Sequence, residues 1–131
     1  MSKNILVPIQ TNEAPVVVGP YSQAIVVNEF VFCSGQIGID PKTNEVVVGL
    51  ERQTHQVMAN LSAVLEASHS DLNHVLKTTI YLKDMKSYLI VNEIYGSYFT
   101  QNKPARATVE VSRLPKDVEI EIELIAITNN P

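Results

Sequence analysis

The chain has 131 residues, the size of one domain spanning 1–131, and 45% of them are hydrophobic, enough for an ordinary core. Its 14 acidic residues against 10 basic ones leave a net charge of −4, the bases are scattered and Trp is absent, which argues against nucleic acid as the main partner. No apolar run reaches membrane-span length, residues 1–10 lack the apolar core of a signal peptide, and the single cysteine, Cys33, rules out an internal disulfide, so the cytoplasm is the expected compartment.

In chain order, Ala24-Ile25-Val26-Val27 and Phe30-Val31-Phe32-Cys33 flank Asn28-Glu29, the pattern of a hairpin. Asp40-Pro41-Lys42-Thr43-Asn44 has loop chemistry. Over residues 51–68, Val57, Met58, Leu61, Val64 and Leu65 recur in steps of three and four, which predicts an amphipathic helix. Within it, Asn60-Leu61-Ser62 matches a glycosylation sequon that an intracellular chain leaves unused. Residues 75–83 are rich in β-branched side chains and predict a strand. Residues 88–99 predict a shorter helix in which Leu89, Asn92, Ile94, Tyr95 and Phe99 mark no clean stripe, and Lys103-Pro104 ends it. In the last third, residues 106–112 and 119–124 both alternate polar and apolar around Leu114-Pro115-Lys116-Asp117, which predicts a long antiparallel hairpin.

This order predicts an α+β fold with two helices on one face of a sheet. The helices would then cover Ala107, Val109, Val111, Ile120, Ile122 and Leu124. The opposite face would carry Arg106, Thr108, Glu110, Glu121 and Glu123, followed by Ile125 and Ile127. An apolar end left in water points to a partner subunit, and so to a homo-oligomer.

There is no phosphate-binding glycine loop and no nucleophile elbow, and no metal or cofactor is expected. His55, His69 and His74 lack helix-spaced partners and read as surface or helix-end residues. Cys33, in an apolar strand, reads as a small hydrophobe more readily than as a reactive thiol. Arg106 presents a planar fork that either grips a ligand carboxylate or forms a structural ion pair with Glu123. The row Glu119, Glu121, Glu123 is either a solvated face or the source of a carboxylate that orients water. If the predicted hairpin turns between Pro115 and Lys116, Arg106 lies opposite Ile125, with Glu121 about 13 Å along the strand. Either the register differs, or a site using both borrows from another subunit.

Gly19-Pro20-Tyr21-Ser22-Gln23-Ala24, Ser34-Gly35-Gln36-Ile37, Pro104-Ala105-Arg106-Ala107-Thr108-Val109-Glu110-Val111 and Arg113-Leu114-Pro115-Lys116-Asp117, followed by Ile120-Glu121-Ile122-Glu123, resemble the reactive intermediate deaminase family, also called YjgF. The likeness runs over nearly the whole chain, about residues 14–127. It implies a chorismate-mutase-like two-layer fold, a mixed sheet of about six strands with two helices on one face, assembled as a homotrimer with clefts between subunits. It also implies hydrolytic deamination of enamines and imines, such as 2-aminoacrylate and 2-iminobutanoate, to 2-keto acids and ammonia. By position, the resemblance makes Arg106 the carboxylate ligand and Glu121 the residue that orients water. Tyr21 would close over the ligand, the Ser34-Gly35 backbone would hydrogen-bond it, and Asn92 would shape the same cleft. Thr108 departs from the pattern, because many relatives carry cysteine there; its hydroxyl can still donate, and imine hydrolysis needs no thiol. Two other functions stay open at this point: a carboxylate-sensing regulatory module acting through a protein partner, and an endoribonuclease, which the acidic balance does not favour.

Overall fold

The apolar stripe of residues 51–68 builds the longest helix of the computed structural model, which describes residues 4–129; residues 1–3 and 130–131, at the ends of the predicted 1–131 domain and including part of the N-terminal segment 1–10 expected not to be a signal peptide, lie outside the described residues. This helix, α1 (Leu50–Ala67), buries Val57, Met58, Leu61, Val64 and Leu65 completely. It stops where the Ser68 hydroxyl turns back to donate to the Val64 carbonyl at 2.7 Å. His69 then takes a left-handed φ of 59°, which swings the chain off the helix axis.

Around it lie β1 (Val7–Ile9), β2 (Ala24–Val27), β3 (Phe30–Ile37), β4 (Ile39–Asp40), β5 (Glu45–Val46), β6 (Val75–Leu82), α2 (Tyr88–Tyr98), β7 (Ala105–Glu110) and β8 (Ile120–Ile127). Six strands form one sheet in the order β1-β2-β3-β8-β6-β7, while β4 and β5 form a separate ribbon. Only β6 and β7 run parallel, so the sheet is mixed. The predicted hairpin about Asn28-Glu29 forms, with Asn28 at φ 55° and Val27 paired to Phe30. The core sits between α1 and one sheet face, where Val31, Ile80, Leu82, Ile120, Ile122 and Ala126 are almost wholly buried. β1, β4 and β5 are two or three residues long, too short to show a period in the sequence.

The predicted hairpin of the last two strands does not form. β7 and β8 both pair with β6, on opposite edges of it. β6, α2 and β7 make a crossover unit, and a helix between two strands brings the second back parallel to the first. The connection to β8 then rounds the end of β6: the Val111 amide donates to the Leu82 carbonyl, and the Lys83 amide to the Glu119 carbonyl. Alternation names a strand's two faces but not its neighbour, and here the neighbour decides.

Pairing also corrects the faces of β7. Arg106 lies beside Thr78, Thr108 beside Ile80 and Glu110 beside Leu82, all on the helix side of the sheet. Ala107 and Val109 therefore lie on the open face, the reverse of the prediction, and Val109 is 41% exposed. For β8 the prediction holds: Ile120, Ile122 and Leu124 face the helices, while Glu121, Glu123, Ile125 and Ile127 face outward. The oily side of the edge strand is the side that the helices leave open.

Buried carboxamides tie the irregular segments to this frame. Gln23 accepts from the Thr11 amide at 2.7 Å and donates to the carbonyls of Thr11 and Pro15. Asn60, the sequon residue, is 1% exposed and donates to the carbonyls of Ile37 and Ile39. Gln53 donates to Val47 O and accepts from the Glu119 amide at 2.8 Å. Gly38 permits this last arrangement, because a Cβ there would stand 2.8 Å from the Gln53 Cα, and helix backbone cannot step aside. Gly38→Ala should therefore cost about 1–3 kcal/mol of stability, as overpacking does elsewhere; urea denaturation measures it, and an unchanged midpoint would contradict the close approach.

Candidate functional site

Tyr88, Asn92 and Tyr95 stand at i, i+4 and i+7 of α2, so they share one face of the helix. That face meets Arg106 of β7. One guanidinium nitrogen, Nη1, donates to Asn92 Oδ1 at 2.7 Å, and Nη2 donates to the Tyr88 hydroxyl oxygen at 2.8 Å. The guanidinium carbon lies 5.1 Å from the Tyr95 ring centre and 5.6 Å from that of Tyr88, within cation–π range. Tyr95 is itself locked by a 2.7 Å hydrogen bond with Thr78, the β6 residue in register with Arg106. Burial raises the Tyr95 phenol pKa, so its hydroxyl stays neutral.

Arg106 has no acidic partner among the described residues, whose ion pairs are His74–Asp71 and Lys83–Asp117. Glu123 is beside Thr79, on the other side of the sheet, so the structural ion pair left open by the sequence does not form. Neutral oxygens and ring faces hold the fork, using two of arginine's five N–H donors. Two residues along the same face, the buried Thr108 Oγ1 has no hydrogen-bond partner among the described residues.

A second group gathers at the β3–β8 pair. The register of β3 on β8 shifts between Cys33 and Gln36, leaving Ser34 and Gly35 outside the ladder. The Ser34 amide donates to the Gln23 carbonyl and its hydroxyl to the Ser22 carbonyl at 2.6 Å. A Cβ on Gly35 would overlap the Glu121 carboxylate, so only glycine lets that carboxyl group lie against the bulge. Burial raises the Glu121 pKa above the usual glutamate value, and the charge of Glu123 raises it further. Tyr21 is 56% exposed and, with Gly35, Ile37 and Pro115, lines a cleft of about 360 Å³.

The seven residues singled out from the sequence thus fall into two clusters. Arg106, Asn92 and Thr108 lie on the helix side, at the edge strand. Tyr21, Ser34, Gly35 and Glu121 lie about the β3 bulge, with Glu121 on the open face. One chain assembles each cluster and does not join them. Tyr88 and Tyr95 were missed, although their spacing with Asn92 was a usable signal of a common face.

The other candidates are accounted for by local contacts. Cys33 is buried and its thiol is pushed up to about 12, so it carries no thiolate at neutral pH. His55 is hydrogen-bonded to the Tyr98 hydroxyl at 2.6 Å, and His74 to Asp71 at 2.7 Å. Among the described residues, no group of three or more His, Cys, Asp or Glu is placed to hold a metal ion, and no helix is long and apolar enough to cross a membrane.

Glu121 should leave a signature in the pH dependence of stability. Because its folded-state pKa is raised, the folded chain keeps a proton that the unfolded chain has released. Stability should fall as pH rises from the ordinary glutamate value through the raised one, and the penalty should persist above it. Glu121→Gln should flatten that slope, and Glu123→Gln should reduce it by removing the like charge. Urea midpoints measured from pH 4 to 8 on all three proteins check this; identical slopes would show that Glu121 titrates normally.

Residues 11–128 match the family described as endoribonuclease L-PSP. A RutC family protein of Pyrococcus horikoshii is 57% identical over 119 residues, covering 90% of this chain and 94% of that protein. The 2-iminobutanoate/2-iminopropanoate deaminase of Homo sapiens is 44% identical over 128 residues, covering 97% and 93%. A crystal structure of a Rid-family protein of unknown function from Yersinia pestis has a TM-score of 0.93 at 44% identity, over 95% of this chain and 100% of that one. The two-helix, six-strand fold and the sequence likeness agree, and the chain belongs to the reactive intermediate deaminase (Rid, YjgF) family.

Proposed function

We propose that this chain is a single-domain cytoplasmic enzyme, working without a cofactor, that hydrolyses reactive enamines and imines, such as the enamine 2-aminoacrylate and the imine 2-iminobutanoate, to 2-keto acids and ammonia. The observation that carries the reading is the Arg106 fork, charged, preorganised by neutral oxygens and without a carboxylate of its own. The human relative at 44% identity, named as a deaminase of such imines, supports it.

The chemistry asks little beyond placement. An iminium carbon is already electrophilic, so the protein needs to hold the carboxylate, position a water and stabilise the tetrahedral intermediate. Arg106 clasps the carboxylate with its remaining N–H donors, and the Thr108 hydroxyl, lacking a partner, is a further donor on that side. Glu121 takes a proton from water as the water oxygen adds to the iminium carbon, and returns it to the nitrogen of the resulting carbinolamine. The carboxylate so regenerated takes the hydroxyl proton as the C–N bond breaks, giving the keto acid's carbonyl and ammonia, which leaves with that proton as ammonium. A carboxyl group with raised proton affinity suits both directions of that transfer. Tyr21 closes over the ligand. The Ser34 amide is engaged with Gln23, so the backbone groups offered to the ligand are the others of the Ser34-Gly35 bulge.

Arg106 and Glu121 leave opposite faces of one sheet, so a single ligand meets both only if they belong to different subunits. The open face supports such an assembly: Phe30 and Phe32 are 45% and 44% exposed, and Phe32 lies beside Ile125. We therefore place the sites between the subunits of a homotrimer.

Arg106→Ala should lower imine hydrolysis by about 100-fold or more, the loss of a charge-assisted pair of hydrogen bonds, while the fold is kept. A coupled threonine dehydratase assay reads the rate, and undiminished acceleration would sink the assignment. Mixing unfolded Arg106→Ala and Glu121→Gln subunits and refolding them together should restore about a quarter of the sites, since random assortment pairs an intact Arg106 with an intact Glu121 across that fraction of interfaces. Activity no higher than that of the parent variants would place both residues within one chain's site.

A further inference from the structure

Three side chains surround the Arg106 guanidinium, and two have little left to offer a ligand. Tyr95 is only 6% exposed and its hydroxyl is paired with Thr78. Asn92 spends its carbonyl oxygen on Nη1 and is itself exposed, so water weakens its hydrogen bonds. Tyr88 is different. It is half-buried, its oxygen accepts from Nη2 at 2.8 Å, and its own O–H proton meets no acceptor among the described residues. A phenol that accepts from a cation becomes a stronger donor, because hydrogen bonds in a chain polarise one another. Tyr88 also opens α2, whose first turn carries no acidic residue and whose positive end favours an anion.

We propose that Tyr88 is a second carboxylate-binding group of this site, donating its phenolic proton to one carboxylate oxygen while a free N–H of Arg106 binds the other; the inference rests on the deaminase reading given above. The relay runs from guanidinium N–H to phenol oxygen, and from phenol O–H to carboxylate. It makes the clamp a matched pair of donors and selects a planar anion over a neutral amide of the same shape.

Tyr88→Phe keeps the ring against the guanidinium and removes only the hydroxyl. Calorimetry with 2-oxobutanoate should show about tenfold weaker binding, the cost of losing one hydrogen bond to a charged group. In the coupled assay KM for 2-iminobutanoate should rise by the same factor, with kcat held within about twofold. In an Arg106→Ala background the same substitution should have no further effect on binding, because the relay has lost its first member. Parent-like binding by Tyr88→Phe, with binding lost in Arg106→Ala, would overturn this proposal and leave the deaminase reading standing. A fall in kcat with KM unmoved would also overturn it, since Tyr88 would then act on the chemistry and not on the carboxylate. Parent-like binding and turnover by Arg106→Ala would bring down the site and this proposal together.

Discussion

The double pairing of β6, parallel to β7 on one edge and antiparallel to β8 on the other, is the constraint on which the rest of this structure depends. It follows from placing α2 between β6 and β7, since a crossover helix returns the chain in the same direction. β8 is then free to enter the sheet between β3 and β6, where both its edges find ladder partners and its inner face meets α1. A hairpin of β7 and β8 would have satisfied the alternation equally well, but it would have left β6 unpaired on the edge that β8 now fills.

That choice sorts the charges. Arg106 is turned toward α2, where it meets phenol and amide oxygens and, among the described residues, no carboxylate. Glu121 is turned to the open face, where burial against Gly35 raises its proton affinity and the like charge of Glu123 raises it further. Each charge is left without its natural counter-charge, an arrangement that costs stability and recurs at sites awaiting a ligand. In the proposed trimer the two halves meet across the subunit boundary, and the substrate supplies the anion that Arg106 lacks.

The irregular segments are held with comparable economy. Gln23, Gln53 and Asn60 are buried amides whose partners are mainly backbone groups of loops and strand ends, so a few side chains replace a missing ladder. Gln23 is the most consequential. It anchors residues 11–15 beside Tyr21, and its backbone carbonyl receives the Ser34 amide at the bulge. The mouth of the 360 Å³ cleft and the bulge behind Glu121 thereby share one tether.

Local pattern alone determined a good part of this protein. The stripe from Val57 to Leu65 dictated α1, the Asn28-Glu29 break dictated a hairpin, and the alternation of residues 120–124 dictated which β8 side chains enter the core. These are decided by near neighbours and by the period of the side chains, which a sequence records directly. The four motif blocks carried the family likeness, and with it the site residues. Tertiary structure alone decided who lies beside whom. The face of Arg106, its separation from Glu123, with which an ion pair was one of two open readings, the contact of Tyr88 with the fork and the separation of Arg106 from Glu121 all follow from strand order. Strand order is set by the balance of long-range pairings over the whole chain. Period-two alternation is the same for either neighbour, so no local reading of residues 106–112 could have told them apart.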